Sequence, residues 1–191
     1  LARFEDEIFA ALNNRRMELE AQGMKIYNMS VGTPDFKTPE YIKKAVAEAA
    51  MDDNNWKYSL RDLPELLEAV CTYYKKRFDV ELTPDMVMTV YGSQEGMGHL
   101  GMALCDEGDT VLLPDPCYPV FGAVPYYYPL VAEHDFLPYV KGIPEEVAKK
   151  AKYMVVSLPS NPVGSIATPG LYEEIVEFAK KYDILIIHDN A

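Results

Sequence analysis

From residue 84 onward, short apolar runs alternate with segments of helical spacing. The apolar runs lack the polar residue at every second position that a half-exposed strand carries, which indicates strands covered on both faces. Strands that alternate with helices usually pair in parallel, because each helix returns the chain to the same end of the sheet. The sequence therefore predicts an α/β domain with a mostly parallel sheet, its strands expected at Met86–Val90, Thr110–Leu113, Tyr126–Leu130, Tyr153–Ser157 and Ile184–Ile187.

The residues before 84 carry helical spacing and little strand pattern. Lys25–Val31 is predicted to be extended, and Thr38 has the position and side chain of a helix N-cap. We interpret the chain as an α/β domain preceded by an N-terminal helical arm. Before residue 84, helices are expected at Phe4–Gln22, Thr38–Met51 and Leu63–Phe78.

The chain is strongly acidic. Its 191 residues include 18 Lys and Arg against 30 Asp and Glu, a formal net charge of −12. Such a surface repels nucleic-acid phosphates and anionic membranes, so neither is an expected partner. No apolar run approaches the length of a membrane span, the first residues do not resemble a signal peptide, and three cysteines without a C-x-x-C pair predict no metal site. These features are typical of a cytoplasmic protein.

The sequence stops at Ala191, directly after a run that reads as a buried strand. Domain ends usually lie at the surface. We therefore expect this chain to be the truncated part of a longer protein.

Polar and aromatic residues follow each predicted strand. In open parallel sheets, ligands bind beyond the carboxyl ends of the strands, so residues far apart in sequence can line one crevice. The expected site is therefore made of four strand-end loops: Gly92–Gln94, Pro114–Tyr118, Pro159–Pro162 and His188–Asn190.

Two of these loops are suited to a phosphate and a flat ring. Ser93 and Gln94 open a predicted helix, where exposed N–H groups favour a phosphate dianion; the alternative is that Ser93 merely caps the helix. Tyr118 is fixed between Pro116 and Pro119 and is suited to stacking on a ring, although ordinary core packing explains it equally simply.

The other two loops place an amide and a carboxylate. Asn161 follows the fourth strand, where a plain turn is the alternative interpretation. Asp189 leaves a buried strand, where an unpaired carboxylate is costly, so a protonated ring nitrogen is a suitable partner; a structural hydrogen bond to backbone is the alternative. Cys117, beside the expected site, is interpreted as buried and inert, with a reactive thiol as the alternative.

A literal G-x-G-x-x-G motif spans residues 96–101, and Asp115 lies 19 residues beyond its first glycine. This spacing suggests a dinucleotide site and an NAD-dependent oxidoreductase. The fingerprint, however, requires its first glycine in the turn after the strand, and here that turn is at Gly92. The motif glycines are therefore expected inside a helix, where small residues permit close packing against the sheet.

Together these segments resemble the aminotransferase class I/II family of fold-type I pyridoxal-phosphate enzymes. The resemblance runs from Phe4 to Ala191 and looks nearest to the LL-diaminopimelate, aspartate and alanine aminotransferases. The segment Leu60–Leu63 departs from the family pattern because it lacks the usual glycine. The resemblance is carried by the order and spacing of six segments: Tyr27–Asp35, Tyr58–Leu66, Gly92–Gly96, Asp115–Pro119, Ser160–Gly164 and His188–Ala191.

The resemblance implies a three-layer αβα large domain and a role for each site residue. Residues 1–35 would be the arm and an extended substrate-side segment, and residues 36–191 the N-terminal part of the cofactor domain. Ser93 and Gln94 would hold the phosphate of pyridoxal 5′-phosphate. Asp189 would pair with its ring nitrogen, Asn161 would bind its phenolic oxygen and Tyr118 would stack on its ring. Gly32 would approach the substrate carboxylate, and Tyr58 would reach the phosphate of the neighbouring subunit of a homodimer.

The resemblance also implies what this chain lacks. In the family, the Schiff-base lysine lies some tens of residues beyond the position of Asp189, so it is expected beyond Ala191, and no catalytic residue is assigned within the chain. The chain alone is therefore expected to be inactive. The intact enzyme would transfer an amino group between an amino acid and a 2-oxo acid. A carbon–sulfur lyase on the same scaffold and a non-catalytic fragment remain alternatives.

Overall fold

The computed structural model describes residues 8–29, 32, 34–122, 124, 127–130 and 136–190. The chain divides into two compact units, Leu1–Leu60 and Arg61–Ala191. The predicted division after residue 35 falls within the first unit and remains a prediction about the longer protein. The beginning of the predicted helix Phe4–Gln22, Val31 and Tyr126 lie outside the described residues.

The first unit contains the helices α1, Ile8–Ala21, and α2, Glu40–Ala50, followed by a 3-10 helix at residues 53–56. The C-terminus of α2 leaves carbonyl oxygens without partners inside the helix. Asn55 Nδ2 donates to the carbonyl of Ala49 at 2.8 Å, and Trp56 Nε1 donates to that of Ala50 at 3.0 Å. The 3-10 helix is therefore held against the end of α2 by side-chain hydrogen bonds.

The second unit alternates helices and strands, as the sequence predicts. Short 3-10 turns at residues 84–86, 119–122 and 140–142 join them. Its helices and strands are α3 (Pro64–Phe78), α4 (Ser93–Leu104), β1 (Thr110–Leu113), β2 (Tyr127–Pro129), α5 (Glu145–Ala148), β3 (Ala151–Ser157), α6 (Leu171–Tyr182) and β4 (Leu185–Asp189). None of these described helices combines the length and the apolar character needed to cross a bilayer.

The four strands form one sheet in the order β2-β1-β3-β4, and every neighbouring pair is parallel. This arrangement confirms the predicted α/β class. In the pairing of β3 with β4, Ser157 lies beside Asp189, so two polar residues end adjacent strands at the same edge of the sheet.

Each face of the sheet packs against a different helix, which gives three layers. On one face, Met154 and Val156 of β3 pack against Ile175 of α6. On the other face, Val155 of β3 packs in a cluster that includes Leu100 of α4. Successive strand residues point to opposite faces, so the uninterrupted apolar sequence of β3 supplies both layers.

The predicted strand at Met86–Val90 is wrong. A 3-10 turn occupies Pro84–Met86, and residues 87–90 pair with no strand in the described chain. Val87 has φ −123° and ψ 132°, typical of a strand, but Met88 is 76% exposed. A β-type sequence becomes a strand only when a neighbouring strand supplies hydrogen-bond partners, and those partners are a tertiary property.

Two predicted boundaries also differ from the structure. Thr38 does not cap α2, because the helix begins at Glu40 with Pro39 in the N-cap position and no side-chain hydrogen bond. The last strand, predicted at Ile184–Ile187, extends to Asp189. Asp189 is therefore the final residue of β4, and pairing with β3 fixes its backbone.

A side chain at Gly101 in α4 is expected to lower the stability of the fold. An added Cβ would lie 2.9 Å from Cγ1 of Val124, whereas one at Gly98 would lie 3.6 Å from Val120, an ordinary contact. Helix propensity favours Ala over Gly by about 1 kcal/mol at both positions. We expect Gly98→Ala to stabilise the chain and Gly101→Ala to destabilise it by about 1–3 kcal/mol through overpacking. Urea unfolding of both variants tests this, and equal stabilisation by both would contradict it.

Candidate functional site

A cavity of about 460 Å³ lies at the carboxyl ends of the strands, within the second unit. Five of the residues predicted from the sequence line it: Ser93, Gln94, Tyr118, Asn161 and Asp189. They come from the loops after residue 90, after β1 and after β3, and from the end of β4 itself. Cavities of this size accommodate small ligands, and their location beyond parallel strands is the usual one for binding sites in α/β proteins.

The loop before α4 presents a helix N-terminus to the cavity. Gly92 occupies the N-cap position with φ 86° and ψ 146°, a backbone conformation open essentially to glycine alone. No side chain caps α4, so the interpretation of Ser93 as a mere cap is wrong. The N–H groups of Ser93 and Gln94 belong to the first turn, whose donors have no carbonyl partner within the helix. These donors are available to an anion.

Glu95 fixes this loop and was not predicted as a site residue. Its carboxylate accepts a hydrogen bond from the backbone N–H of Tyr91 at 2.6 Å. In addition, the N–H of Gly92 donates to the carbonyl of Val90 at 2.9 Å. A glutamate at the third helical position that reaches back before the helix is a variant of the capping box. That pattern is the sequence signal that could have identified Glu95.

Tyr118 lies between the cavity and the core. Its ring is half-buried and meets Phe121 edge-on, with centroids 6.1 Å apart. Its hydroxyl donates to Oε1 of Gln94 at 3.5 Å. Tyr118 therefore packs against the core through Phe121 and also lines the cavity.

Asp189 places a half-buried carboxylate in the cavity. The hydroxyl of buried Ser157, its neighbour across β3 and β4, donates to Oδ2 at 3.5 Å. His188, by contrast, contacts Tyr172 of α6, with the rings 5.7 Å apart. Adjacent residues on a strand face opposite sides of the sheet, so His188 belongs to the other layer. Sequence reasoning missed Ser157 because strand register is not visible in the sequence.

Asn161 lines the cavity from a tight turn. The N–H of Gly164 donates to the carbonyl of Ser160 at 2.7 Å, and the N–H of Ser160 donates to the carbonyl of Ser165 at 2.9 Å. The turn interpretation is therefore correct as far as the backbone is concerned, and the turn also brings the amide side chain to the site.

The electrostatics of the cavity are acidic. Asp189 is the charged side chain among its described lining residues, which include no Lys, Arg or His. Among the described lining residues, the groups suited to an anion are the amides and hydroxyl at the start of α4, and the group suited to a cation is the carboxylate of Asp189. No group of three or more His, Cys, Asp or Glu side chains in the described residues is arranged to hold a metal ion.

Gly32 and Tyr58 lie in the first unit. Tyr58 is 90% exposed, and no heavy atom lies within 4 Å of the position that a Cβ on Gly32 would take. Their predicted contacts with substrate and with a neighbouring subunit remain predictions.

The G-x-G-x-x-G glycines lie inside α4, which begins at Ser93, before Gly96. Gly101 is buried against Val124, and Gly98 faces Val120. They allow close packing of the helix and are too far into it to form the phosphate turn of a dinucleotide fold.

Cys117 is half-buried beside Tyr118 and packs with the α4 side of the core. Burial raises the pKa of its thiol, and the charge of Asp115 raises it further. Thiolate is the reactive form, so we expect slow alkylation of Cys117 by iodoacetamide at neutral pH. The rate should rise as the pH is increased beyond the pKa of an ordinary thiol. Asp115→Asn should accelerate the reaction; peptide mapping with mass spectrometry measures both rates, and rapid labelling at pH 7 would contradict this prediction.

The fold and the cavity define an α/β protein with a site at the carboxyl ends of parallel strands, lined among its described residues by a helix N-terminus, an aromatic ring and a carboxylate. The family model for aminotransferase class I and II matches residues 24–191. The chain belongs to this family. Membership confirms the resemblance seen in the sequence, together with the expected cofactor, pyridoxal 5′-phosphate.

Related sequences and structures agree. The chain is 41% identical over 193 aligned positions to an LL-diaminopimelate aminotransferase of Aquifex aeolicus, covering 96% of this chain and 50% of that protein. BacF from Bacillus subtilis with bound substrate superposes with a TM-score of 0.88 at 30% identity, covering 98% of this chain and 50% of that one. A probable N-succinyldiaminopimelate aminotransferase from Thermus thermophilus superposes with a TM-score of 0.86 at 33% identity, covering 96% and 52%. The chain thus spans about half the length of the relatives it matches.

Proposed function

We propose that this chain is the N-terminal half of an enzyme that transfers an amino group between an amino acid and a 2-oxo acid, and that it supplies the phosphate and ring contacts of the cofactor. The observation that carries the proposal is the convergence of Ser93, Gln94, Tyr118, Asn161 and Asp189 on one cavity. The family and the aminotransferase names of the relatives support the reaction class.

The donor set fits pyridoxal 5′-phosphate. The N–H groups at the start of α4, with the Ser93 hydroxyl, match a phosphate, because a helix N-terminus favours negative charge. The ring of Tyr118 offers a stacking surface, and Asn161 offers an amide donor for the phenolic oxygen. The carboxylate of Asp189 suits a protonated ring nitrogen, since a charged acceptor strengthens such a hydrogen bond.

Each residue contributes differently to the reaction. When bound, the cofactor supplies an electron sink for charge that develops at the substrate α-carbon. Asp189 holds a proton at the ring nitrogen and so maintains that property, while Ser157 orients the carboxylate. Ser93 and Gln94 anchor the phosphate, and Tyr118 sets the plane of the ring. These residues bind and orient; the proposed lysine nucleophile belongs to the part of the enzyme beyond Ala191.

The remaining features of the enzyme are also proposals. We infer a homodimer in which Tyr58 reaches the neighbouring subunit, a substrate-side position for Gly32, and an arm at residues 1–35 followed by the cofactor domain. The relatives named LL-diaminopimelate aminotransferase support amino acid biosynthesis as the setting, and three cysteines that form no disulfide support a reducing compartment such as the cytoplasm.

The experiment is an assay of the complete protein that contains this chain. It is incubated with a panel of L-amino acids, LL-diaminopimelate included, with and without a 2-oxo acid acceptor. We expect consumption of the amino acid only when the acceptor is present, with a new amino acid formed in equal amount. Release of a 2-oxo acid and ammonia or sulfide without acceptor would instead identify a lyase. The 191-residue chain alone is the control and is expected to be inactive.

A further inference from the structure

We propose that Asp62 is a positioning residue for the phosphate-binding loop, acting through a hydrogen-bonded pair with Thr89; this inference rests on the function proposed above. Asp62 lies two residues before Pro64, the first residue of α3. It is not among the residues that line the cavity, so its effect must be transmitted by the backbone.

The carboxylate of Asp62 binds Thr89 through both of its oxygens. Oδ2 accepts from the backbone N–H of Thr89 at 3.3 Å, and Oδ1 accepts from the Thr89 hydroxyl. Asp62 is half-buried, and 27 residues separate the two partners in the sequence. In the described chain Thr89 is not part of a strand, so the carboxylate provides the acceptor that a neighbouring strand would otherwise provide.

The residues after Thr89 carry this restraint to the start of α4. The N–H of Tyr91 is bound by Glu95, and the N–H of Gly92 by the carbonyl of Val90. The loop is thus held at Thr89 from one side and by α4 from the other. Between these points lies Gly92, whose permissive backbone would otherwise let the loop move. Asp62 therefore limits the freedom of the amides that face the phosphate.

This arrangement predicts a selective effect. The proposed ring contacts come from Tyr118, Asn161 and Asp189, which lie on the loops after β1 and β3 and at the end of β4. In the described residues, they meet the segment that Asp62 holds through the hydrogen bond from the Tyr118 hydroxyl to Gln94 at 3.5 Å, near the upper limit for such a bond. Loss of the Asp62 carboxylate should weaken binding of the phosphate and leave binding of the ring unchanged. A general structural defect would weaken both.

The test compares pyridoxamine 5′-phosphate with pyridoxamine by titration calorimetry on the complete protein that contains this chain, freed of bound cofactor. Neither probe has an aldehyde, so neither reacts with lysines elsewhere on the protein. We expect Asp62→Ala to weaken the phosphorylated probe about tenfold, the typical loss for a hydrogen bond to a charged group, with no change for pyridoxamine. Asp62→Asn retains one acceptor oxygen and should recover part of the affinity, and Thr89→Val should show an intermediate loss.

Asp109→Ala is the matched control. Asp109 is also half-buried and accepts a backbone hydrogen bond, from Asp106 at 2.8 Å, but it precedes β1 at the opposite end of the sheet. The Asp109→Ala variant should leave the ratio of the affinities for pyridoxamine 5′-phosphate and pyridoxamine unchanged. Equal ratios in the parent chain, Asp62→Ala and Asp62→Asn would overturn the proposal, as would an equal loss for both probes.

Hydrogen exchange separates failure of this inference from failure of the proposed function. Without any ligand, Asp62→Ala should accelerate exchange of the amides between residues 89 and 95 about tenfold, and Asp109→Ala should not. If the parent chain shows no preference for the phosphorylated probe, the proposed cofactor site fails, while the exchange result still decides the role of Asp62. Unchanged exchange in Asp62→Ala would overturn that role. Asp62→Asn and Thr89→Val provide the same comparison if the alanine variant does not fold.

Discussion

Replacing Asp189 with asparagine is expected to weaken binding of pyridoxamine 5′-phosphate by about one to two orders of magnitude. This is the loss in affinity that corresponds to the free energy of one hydrogen bond to a charged partner. Asparagine keeps the size of the side chain and an acceptor for Ser157, so the variant should fold as the parent does. It lacks the negative charge that favours a proton on the ring nitrogen. Titration calorimetry, with circular dichroism to verify folding, measures the effect.

His188→Asn is the matched control for Asp189. His188 neighbours Asp189 on β4 but contacts Tyr172 on the other face of the sheet. This variant should change neither the affinity nor its dependence on the phosphate. An Asp189→Asn variant that binds as tightly as the parent chain would contradict the assignment of Asp189 to the ring nitrogen. A loss of equal size in His188→Asn would point to damage of β4 as a whole.

Replacing Gly92 with alanine is expected to reduce the affinity for pyridoxamine 5′-phosphate by more than tenfold. A side chain at φ 86° and ψ 146° costs about 1–3 kcal/mol, and the loop can relieve this strain only by rotating. Such a rotation turns the first amides of α4 away from the phosphate. The proposed ring contacts lie on other segments and meet the start of α4 through the long Tyr118–Gln94 hydrogen bond, so the affinity for pyridoxamine should change little. The ratio of the two affinities is therefore the measurement of interest.

Gly108→Ala controls for the cost of a left-handed glycine as such. Gly108 has φ 93°, no heavy atom lies within 4 Å of its added Cβ, and it precedes β1 at the end of the sheet away from the cavity. Both variants should lower the free energy of unfolding by a similar amount, and only Gly92→Ala should alter binding. If Gly92→Ala retains the parent preference for the phosphorylated probe, the loop does not form the phosphate site.

The fold class and five residues that line the candidate site can be predicted from local sequence. The strands β1 and β3 can be predicted because strands buried on both faces need apolar residues at nearly every position. Ligands of parallel sheets bind at the strand ends, and the alternation of strands and helices shows where those ends are. This is why Ser93, Tyr118, Asn161 and Asp189 could be predicted as candidates. The order and spacing of these strand-end segments also indicated the family, which the family model confirms.

Which backbone segments pair, and which side chains come into contact, depends on tertiary packing and could not be predicted. Met86–Val90 has a strand-like sequence but no strand partner in the described chain, since pairing depends on neighbours that local sequence does not specify. The contact of Ser157 with Asp189 follows from the register of β3 and β4, and that of Asp62 with Thr89 from the approach of segments 27 residues apart. These contacts fix the geometry of the site, and they exist only once the sheet and α4 have packed.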